Sequence, residues 1–189
     1  MKKLMVLAAV AAVASCARAA SYTWTAMTPL FTPGSTTDFL PSGTSAYLFD
    51  AAQVSQADLL GLVLASQKEW KNWAISGTEA KTTGEIVSIS DTFFGREQTT
   101  GTKWQAYFAL VYSDEKACHL YVSELVDATA FATGAMTITF QQSDTYSKIL
   151  RDADKGFSDP GWYAIPEPTS GLLLLLGIAG LALKRRRAA

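Results

Sequence analysis

Hydrophobic and polar residues alternate along several short runs of this chain, and alternation with a period of two predicts β-strands. Residues 21–26 (SYTWTA) alternate small polar with large aromatic side chains, and residues 135–140 (AMTITF) alternate threonines with larger apolar side chains. Residues 45–50 (SAYLFD) and 84–90 (GEIVSIS) form two further short runs with extended character. We therefore predict a strand at each of these four places.

The longest β-type pattern covers residues 103–125 (KWQAYFALVYSDEKACHLYVSEL). Two β-rich runs flank the polar residues 113–116, a connection suited to a hairpin. Both alternating faces of the first run are apolar, which predicts a central strand that is buried on both sides. One face holds Trp104, Ala106, Phe108, Leu110 and Tyr112, and the other holds Tyr107, Ala109 and Val111.

Between residues 45–50 and residues 84–90 the period changes from two to that of a helix. Ser55, with Asp58 three residues later, is typical of a capped helix start. One helical face then carries Leu59, Leu62, Val63, Ser66, Trp70 and Trp73. The combination predicts an α+β fold, a small antiparallel β-sheet with one main helix packed on it. An all-β sandwich is the alternative.

Charge is distributed unevenly along the chain. The formal net charge of the whole chain is −1, but residues 20–165 contain nine lysines and arginines against sixteen aspartates and glutamates, a net charge of −7. Nucleic acids and anionic membrane surfaces bind clusters of lysine and arginine instead. We therefore expect no nucleic-acid partner for this middle part.

The N-terminal segment has the order of a secretory signal peptide: lysines, an apolar run over residues 4–14, and then small residues. The small residues at 17 and 19 predict signal-peptidase cleavage between Ala19 and Ala20. The residues up to Cys16 also resemble a bacterial lipobox, which would leave Cys16 lipid-modified. After cleavage at Ala19 the chain would keep Cys118 as its single cysteine, so no intramolecular disulfide could form.

Candidate catalytic and metal-binding residues are few. Cys118 and His119 are adjacent, and neighbouring strand residues point to opposite faces, so they cannot act together as a nucleophile pair. One cysteine and one histidine do not make a zinc site. Asp152, Asp154 and Asp159 have a spacing that invites calcium, but they lack the glycine and distal glutamate of an EF-hand loop, which favours a solvated acidic linker. We expect no metal and no cofactor.

The five tryptophans offer a different chemistry, because aromatic faces can stack on sugar rings. Core packing explains most of them at least as well. Trp162 lies in a stretch with the composition of a spacer, and we expect it at a membrane interface, where tryptophan is favoured.

The C-terminal tail contains thirteen consecutive apolar residues, 171–183. As a helix this run would extend about 20 Å, against about 30 Å for the hydrocarbon core of a bilayer, so a buried core helix is the alternative. The run is apolar on every side, however, and four cations follow it. We therefore predict a single C-terminal transmembrane helix with a basic cytoplasmic end. The predicted membrane residues are Gly171, Leu172, Leu173, Leu174, Leu175, Leu176, Gly177, Ile178, Ala179, Gly180, Leu181, Ala182 and Leu183, and the basic stop is Lys184, Arg185, Arg186 and Arg187.

Three features of this tail occur in order: Pro166, Glu167 and Pro168, then the apolar segment, then the basic cluster. Together they resemble the PEP-CTERM sorting signal over about residues 164–187. The resemblance implies that exosortase, a membrane-embedded sorting enzyme, recognises the tripeptide, cleaves near it and passes the protein to the cell surface. It also implies a bacterium with an outer membrane that makes exopolysaccharide, a possible further partner.

The predicted organisation is a signal peptide (1–19), a mature extracytoplasmic domain (20–150), a spacer (151–163) and a sorting signal (164–189). We expect an exported, non-enzymatic surface or extracellular-matrix protein, first anchored in the inner membrane and then at the cell surface or outside the cell. A carbohydrate-binding module associated with exopolysaccharide is one alternative, and a secreted hydrolase is another.

Overall fold

The structure, a computed structural model, describes residues 20–28, 30–65, 69–94, 100–114, 117–130, 134–141, 148–157 and 159–165. Within these residues lie eleven β-strands and the helix α1. In chain order they are β1 (Ser21–Thr28), β2 (Ser45–Asp50), α1 (Gln56–Ala65), β3 (Ser76–Glu79), β4 (Lys81–Thr83), β5 (Ile86–Phe94), β6 (Lys103–Ser113), β7 (Cys118–Val122), β8 (Val126–Thr129), β9 (Ala135–Phe140), β10 (Leu150–Asp152) and β11 (Gly161–Ile165). Short 3-10 turns cover Trp70–Trp73 and Ala153–Lys155.

The strands form two sheets. The smaller sheet has the order β4-β5-β1-β9, with β1 antiparallel to β5 and parallel to β9. The larger sheet has seven strands, in the order β10-β11-β7-β6-β2-β3, with β8 pairing with one end of β6. β6 is the centre of the larger sheet, since it pairs with β7, β2 and β8. The predicted hairpin is confirmed as β6 and β7, and so is the central position of its first strand.

The main hydrophobic core lies between the two sheets, because side chains from both sheets meet there. Trp24 of β1 is fully buried, and its ring lies 5.9 Å from that of Phe108 on β6 and 6.3 Å from that of Phe140 on β9. The indole of Trp24 also donates a hydrogen bond to Ser76 of β3, which in turn donates to Asp91 of β5. Aromatic packing and this polar chain therefore join the sheets.

A second cluster covers the outer face of the larger sheet, where α1 lies. The helix begins as predicted: Ser55 accepts a hydrogen bond from the backbone N–H of Asp58 and donates one to its carboxylate. Three of its side chains are buried, Leu59, Leu60 and Val63. Tyr107 of β6 anchors the segment before the helix, because its hydroxyl donates to the Val54 carbonyl at 3.0 Å.

The predicted α+β class is wrong, and the all-β sandwich is the architecture observed. α1 is ten residues long and buries three side chains, whereas the main core is formed between two sheets. Several strands have three or four residues, namely β3, β4, β8 and β10, too few to show an alternating pattern. The predicted helical face is also partly wrong, since Trp73 is 48% exposed and Leu60, off that face, is buried.

Residues 151–163, expected to form a spacer, belong instead to the larger sheet, because they contain parts of β10 and β11. Among the residues that the structure describes, no helix is long and apolar enough to cross a membrane. The predicted membrane segment, residues 171–183, and the predicted signal peptide, residues 1–19, lie outside the described residues.

Candidate functional site

The last described strand, β11, stands at the junction between the folded domain and the proline-flanked glutamate of the tail. It runs from Gly161 to Ile165, with β7 antiparallel on one side and β10 parallel on the other. Gly161 begins the strand with φ of +144°, a backbone conformation open to glycine and strained for other residues. Pro166 follows the strand directly and has no backbone N–H to continue the ladder.

Side chains of β11 fill both hydrophobic clusters. Trp162 points into the core between the sheets, is fully buried and donates from its indole N–H to the Phe31 carbonyl at 3.1 Å. Its ring lies 5.3 Å from that of Tyr121 on the neighbouring strand. Tyr163 and Ile165 point to the opposite side and are buried in the cluster under α1. β11 is therefore an inner strand of the domain.

The burial of Trp162 corrects the expectation that this residue lies at a membrane interface. Three other tryptophans also pack in the core: Trp24, Trp70 and Trp104 are at most 5% exposed. Trp73 alone among the five is substantially exposed, at 48%. A sugar-stacking platform made of several tryptophans is therefore not present in this fold.

The polar turn around β10 and β11 holds the aspartates that were considered for calcium. Asp159 forms an ion pair with Arg151, with 3.3 Å between the charged atoms, and Asp152 lies 3.8 Å from the Lys155 ammonium. Within the described part of the chain, no group of three or more histidines, cysteines, aspartates or glutamates is arranged to hold a metal ion. Asp152 and Asp159 are thus engaged with cations of their own loop.

His119 lies next to the exit of the chain, because Ala164 of β11 and Tyr112 of β6 are its partners across the sheet. His119 is 7% exposed, and its Nδ1 has no hydrogen-bond partner among the described residues. Burial lowers the pKa of His119 below its usual 6.5, and the Asp114 carboxylate offsets part of that change. His119 is therefore neutral at pH 7.

Cys118 is the partner of Ile165 across the sheet and packs with the cluster under α1. Its neighbour His119 turns to the other face of the sheet, where its ring lies 6.4 Å from that of Tyr112. The prediction that these two side chains cannot meet is confirmed by this arrangement. The pair has no geometry for nucleophilic chemistry.

A groove of about 360 Å³ lies at the end of β2 and β6, lined by residues 41–45 and 111–113 together with Lys71. The Lys71 ammonium lies 5.4 Å from the centre of the Tyr47 ring and 5.7 Å from that of the Trp70 ring. These cation–π contacts hold the Lys71 ammonium against aromatic rings of the protein itself. The lining contains no acid, histidine or cysteine.

The predicted sorting signal begins where the described part of the chain ends, at β11. Ala20 is the first described residue, at the start of β1, and Ile165 is the last. Ala19, the tripeptide of Pro166, Glu167 and Pro168, the membrane segment and the basic stop lie outside the described residues. β11 itself was missed, although its aromatic and β-branched residues after Pro160-Gly161 are the signal that could have shown it.

Comparison with known proteins gives one informative match. A model of the PEP-CTERM protein-sorting motif matches residues 164–187, the segment that begins inside β11. No curated protein matches the chain. The structure is similar to the crystal structure of a fimbrial assembly protein from Parabacteroides distasonis ATCC 8503, with 10% sequence identity and a TM-score of 0.29. The likeness covers 66% of this chain and 52% of that one, so this chain spans about half of that protein.

A structural likeness at that level says nothing about function, whereas the sorting motif does. It covers the tripeptide, the apolar run and the basic cluster in full. Residues 164–187 are therefore a PEP-CTERM sorting motif that exosortase recognises, and the chain is an exported protein that is sorted at the membrane to the cell surface.

Proposed function

We propose that residues 20–165 are the mature, non-enzymatic domain of a surface or extracellular-matrix protein, released from its membrane anchor by cleavage on the C-terminal side of Ile165. One observation carries this proposal: the sorting motif begins at residue 164, and β11 ends at Ile165. The domain and the signal are therefore contiguous, with no linker between them.

The packing of β11 supports a cut after this strand. A cut before Gly161 would remove a strand that is paired on both sides, and it would leave β10 without its pairing partner in the sheet. It would also take Trp162, Tyr163 and Ile165 out of the two hydrophobic clusters. Burying one such side chain stabilises a protein by roughly 1.5–3 kcal/mol. A stable mature domain must therefore keep β11.

Few residues separate the domain from the predicted membrane segment, which limits how far the folded precursor can lie from the bilayer. Five residues, 166–170, separate Ile165 from the predicted membrane segment. Even a fully extended chain of this length spans only about 20 Å. The folded domain of the precursor therefore lies next to the bilayer, where a membrane-embedded enzyme can reach the tripeptide.

The N-terminal end supports the same division of the chain. Ala20, the residue after the predicted signal-peptidase site, directly precedes β1, which is an inner strand of the smaller sheet. The backbone N–H of Ser21 donates to the Gly134 carbonyl at 2.9 Å, so the strand is held from its first residue. Cleavage between Ala19 and Ala20 would leave β1 whole.

A non-enzymatic role is supported by the way the reactive side chains are used. Cys118 packs in a cluster, and neutral His119 faces the other side of its sheet. Asp159 is paired with Arg151. A structural or adhesive domain uses such residues for packing and local ion pairs, as this one does.

The sorting proposal is tested by replacing Pro166, Glu167 and Pro168 together with alanine. We expect the variant to accumulate in the inner membrane with its C-terminus intact, measured by cell fractionation and intact mass. Glu85→Ala, in an exposed turn of the domain, is the matched control and should be processed like the parent chain. If the triple variant reaches the surface with the same mass as the parent, the proposal is wrong.

A further inference from the structure

The outward face of the smaller sheet carries a regular array of hydroxyl groups. Strands β1, β5 and β9 turn one set of alternate residues to the core, among them Trp24, Ile89 and Ile138, so the other set points to solvent. At the centre of the outward face lie six serines and threonines, here called the hydroxyl face: Thr23, Thr25, Ser90, Thr92, Thr137 and Thr139.

The strand register sorts these six residues into two rows of three. Thr23 of β1 lies between Thr92 and Thr137, and Thr25 lies between Ser90 and Thr139. Neighbours within a row are about 4.8 Å apart, and the rows are about 6.7 Å apart, as sheet geometry requires. The hydroxyls of Thr23 and Thr92 are 2.9 Å apart, within hydrogen-bond distance.

The six residues of the hydroxyl face carry no charge, in contrast to the domain around them. The fourth strand of the sheet, β4, adds one cation beside the face, Lys81, which pairs with Ser88 of β5. Residues 20–165 have a net charge of −7, yet every outward position of β1, β5 and β9 is polar without charge or apolar. An anionic polymer would be repelled by the net charge of the domain, and a cationic one would find no carboxylate at the outward positions of these three strands, because Asp91 of β5 is turned to Ser76. The charge pattern therefore fits an uncharged ligand.

Large apolar side chains stand at opposite ends of the array. Phe94, at one end of β5, is 68% exposed, and Met27, at the far end of β1, is 62% exposed. Three strands and six residues of length give a strip about 10 Å wide and about 20 Å long. A strip of this size with apolar ends suits one extended polymer chain better than the flat surface of a crystal such as ice.

We propose that the hydroxyl face binds an extended chain of an uncharged, hydroxyl-bearing polysaccharide. Each serine or threonine hydroxyl can donate one hydrogen bond and accept others, which matches the hydroxyls of a sugar. Phe94 can cover the apolar face of a sugar ring at the end of the strip. Threonine is stiff at χ1, so the array loses little conformational entropy on binding.

This inference goes beyond sorting, because it assigns a ligand class to the domain and does not depend on cleavage. The test uses the full-length chain in mild detergent and measures its retention on three insoluble neutral polysaccharides, cellulose, chitin and curdlan. We expect retention on at least one of them. Replacing Thr23, Thr25, Thr137 and Thr139 with valine keeps the shape of the face and should weaken retention by about tenfold or more, because four hydrogen-bonding groups are lost.

Two further variants keep the test decisive. Thr78→Val with Thr129→Val, which removes two hydroxyls from strands of the larger sheet, should bind like the parent chain. Thr139→Lys places a charge on an exposed position of the array and should also weaken binding, while circular dichroism and the melting temperature report an intact fold.

Three results would overturn the proposal. One is the absence of retention on all three polysaccharides. The second is equal retention of the fourfold valine variant, and the third is stronger retention on anionic alginate than on the neutral polymers.

Discussion

The outer face of the larger sheet is buried, whereas the outer face of the smaller sheet is exposed to solvent. The larger sheet buries both faces: one meets the smaller sheet, and the other is covered by α1 and its neighbours. The smaller sheet buries one face and leaves the other to solvent, where serine and threonine predominate. The larger sheet therefore contributes most to stability, and the smaller one is free to present a binding surface.

The same contrast explains where the sorting motif is attached. It continues from β11, which belongs to the larger sheet and is held by pairing on both sides. A cut after Ile165 would therefore leave the pairing of β11 with β7 and β10 intact.

The largest effect is expected from removing β11. A chain that ends at Pro160 loses this strand and strips β10 of its partner, and we expect it to be unfolded. A chain that ends at Ile165 lacks the same tail but keeps the strand, and it should be folded. Resistance to a non-specific protease and far-ultraviolet circular dichroism compare the two. Equal resistance of both truncated chains would show that β11 is dispensable.

The second effect concerns the core that the sheets share. Trp24→Ala removes the contacts with Phe108 and Phe140 and should cost about 3–5 kcal/mol in the free energy of unfolding. Trp73→Ala, at an exposed site, should change the free energy of unfolding by less than about 0.5 kcal/mol. Urea denaturation measures both, and similar losses for the two variants would contradict the burial described above.

Sequence patterns could predict only part of this architecture. The alternation in β1, β6 and β9 gave the longer strands and the central hairpin. The short strands β3, β4, β8 and β10 carry too few residues to show a period, and pairing with longer neighbours decides their conformation. α1 was predicted with its cap, but its role as a minor layer depends on those missed strands. The sorting motif, by contrast, is local in sequence and could be recognised without the fold.

Matched removal of hydroxyl groups sharpens the comparison of the two sheets. Tyr107→Phe, in the larger sheet, loses a buried hydrogen bond to the Val54 carbonyl and should cost about 1 kcal/mol in the free energy of unfolding. Thr137→Val, on the exposed face of the smaller sheet, should cost less than about 0.5 kcal/mol. Thermal denaturation at one pH compares them. A greater loss for Thr137→Val would mean that the hydroxyl face is structural.

The smallest effect is a dependence of stability on pH through His119. Because burial lowers the pKa of His119 in the folded state, the unfolded chain binds the proton more readily. The contribution of His119 to stability is therefore complete above its usual pKa of 6.5, falls as the pH drops below that value, and levels off below the folded pKa. His119→Gln should lack this component. Urea denaturation between pH 5 and pH 8 would show it as a difference in slope, and parallel curves would contradict it.

The most direct test of the central claim is the C-terminal residue of the protein collected from the cell surface. Intact mass with sequencing of the last peptide identifies it. We predict a terminus between Ile165 and Ser170, which keeps β11 and removes the membrane segment. A terminus before Ile165, or surface protein that still carries residues 171–187, would contradict the account.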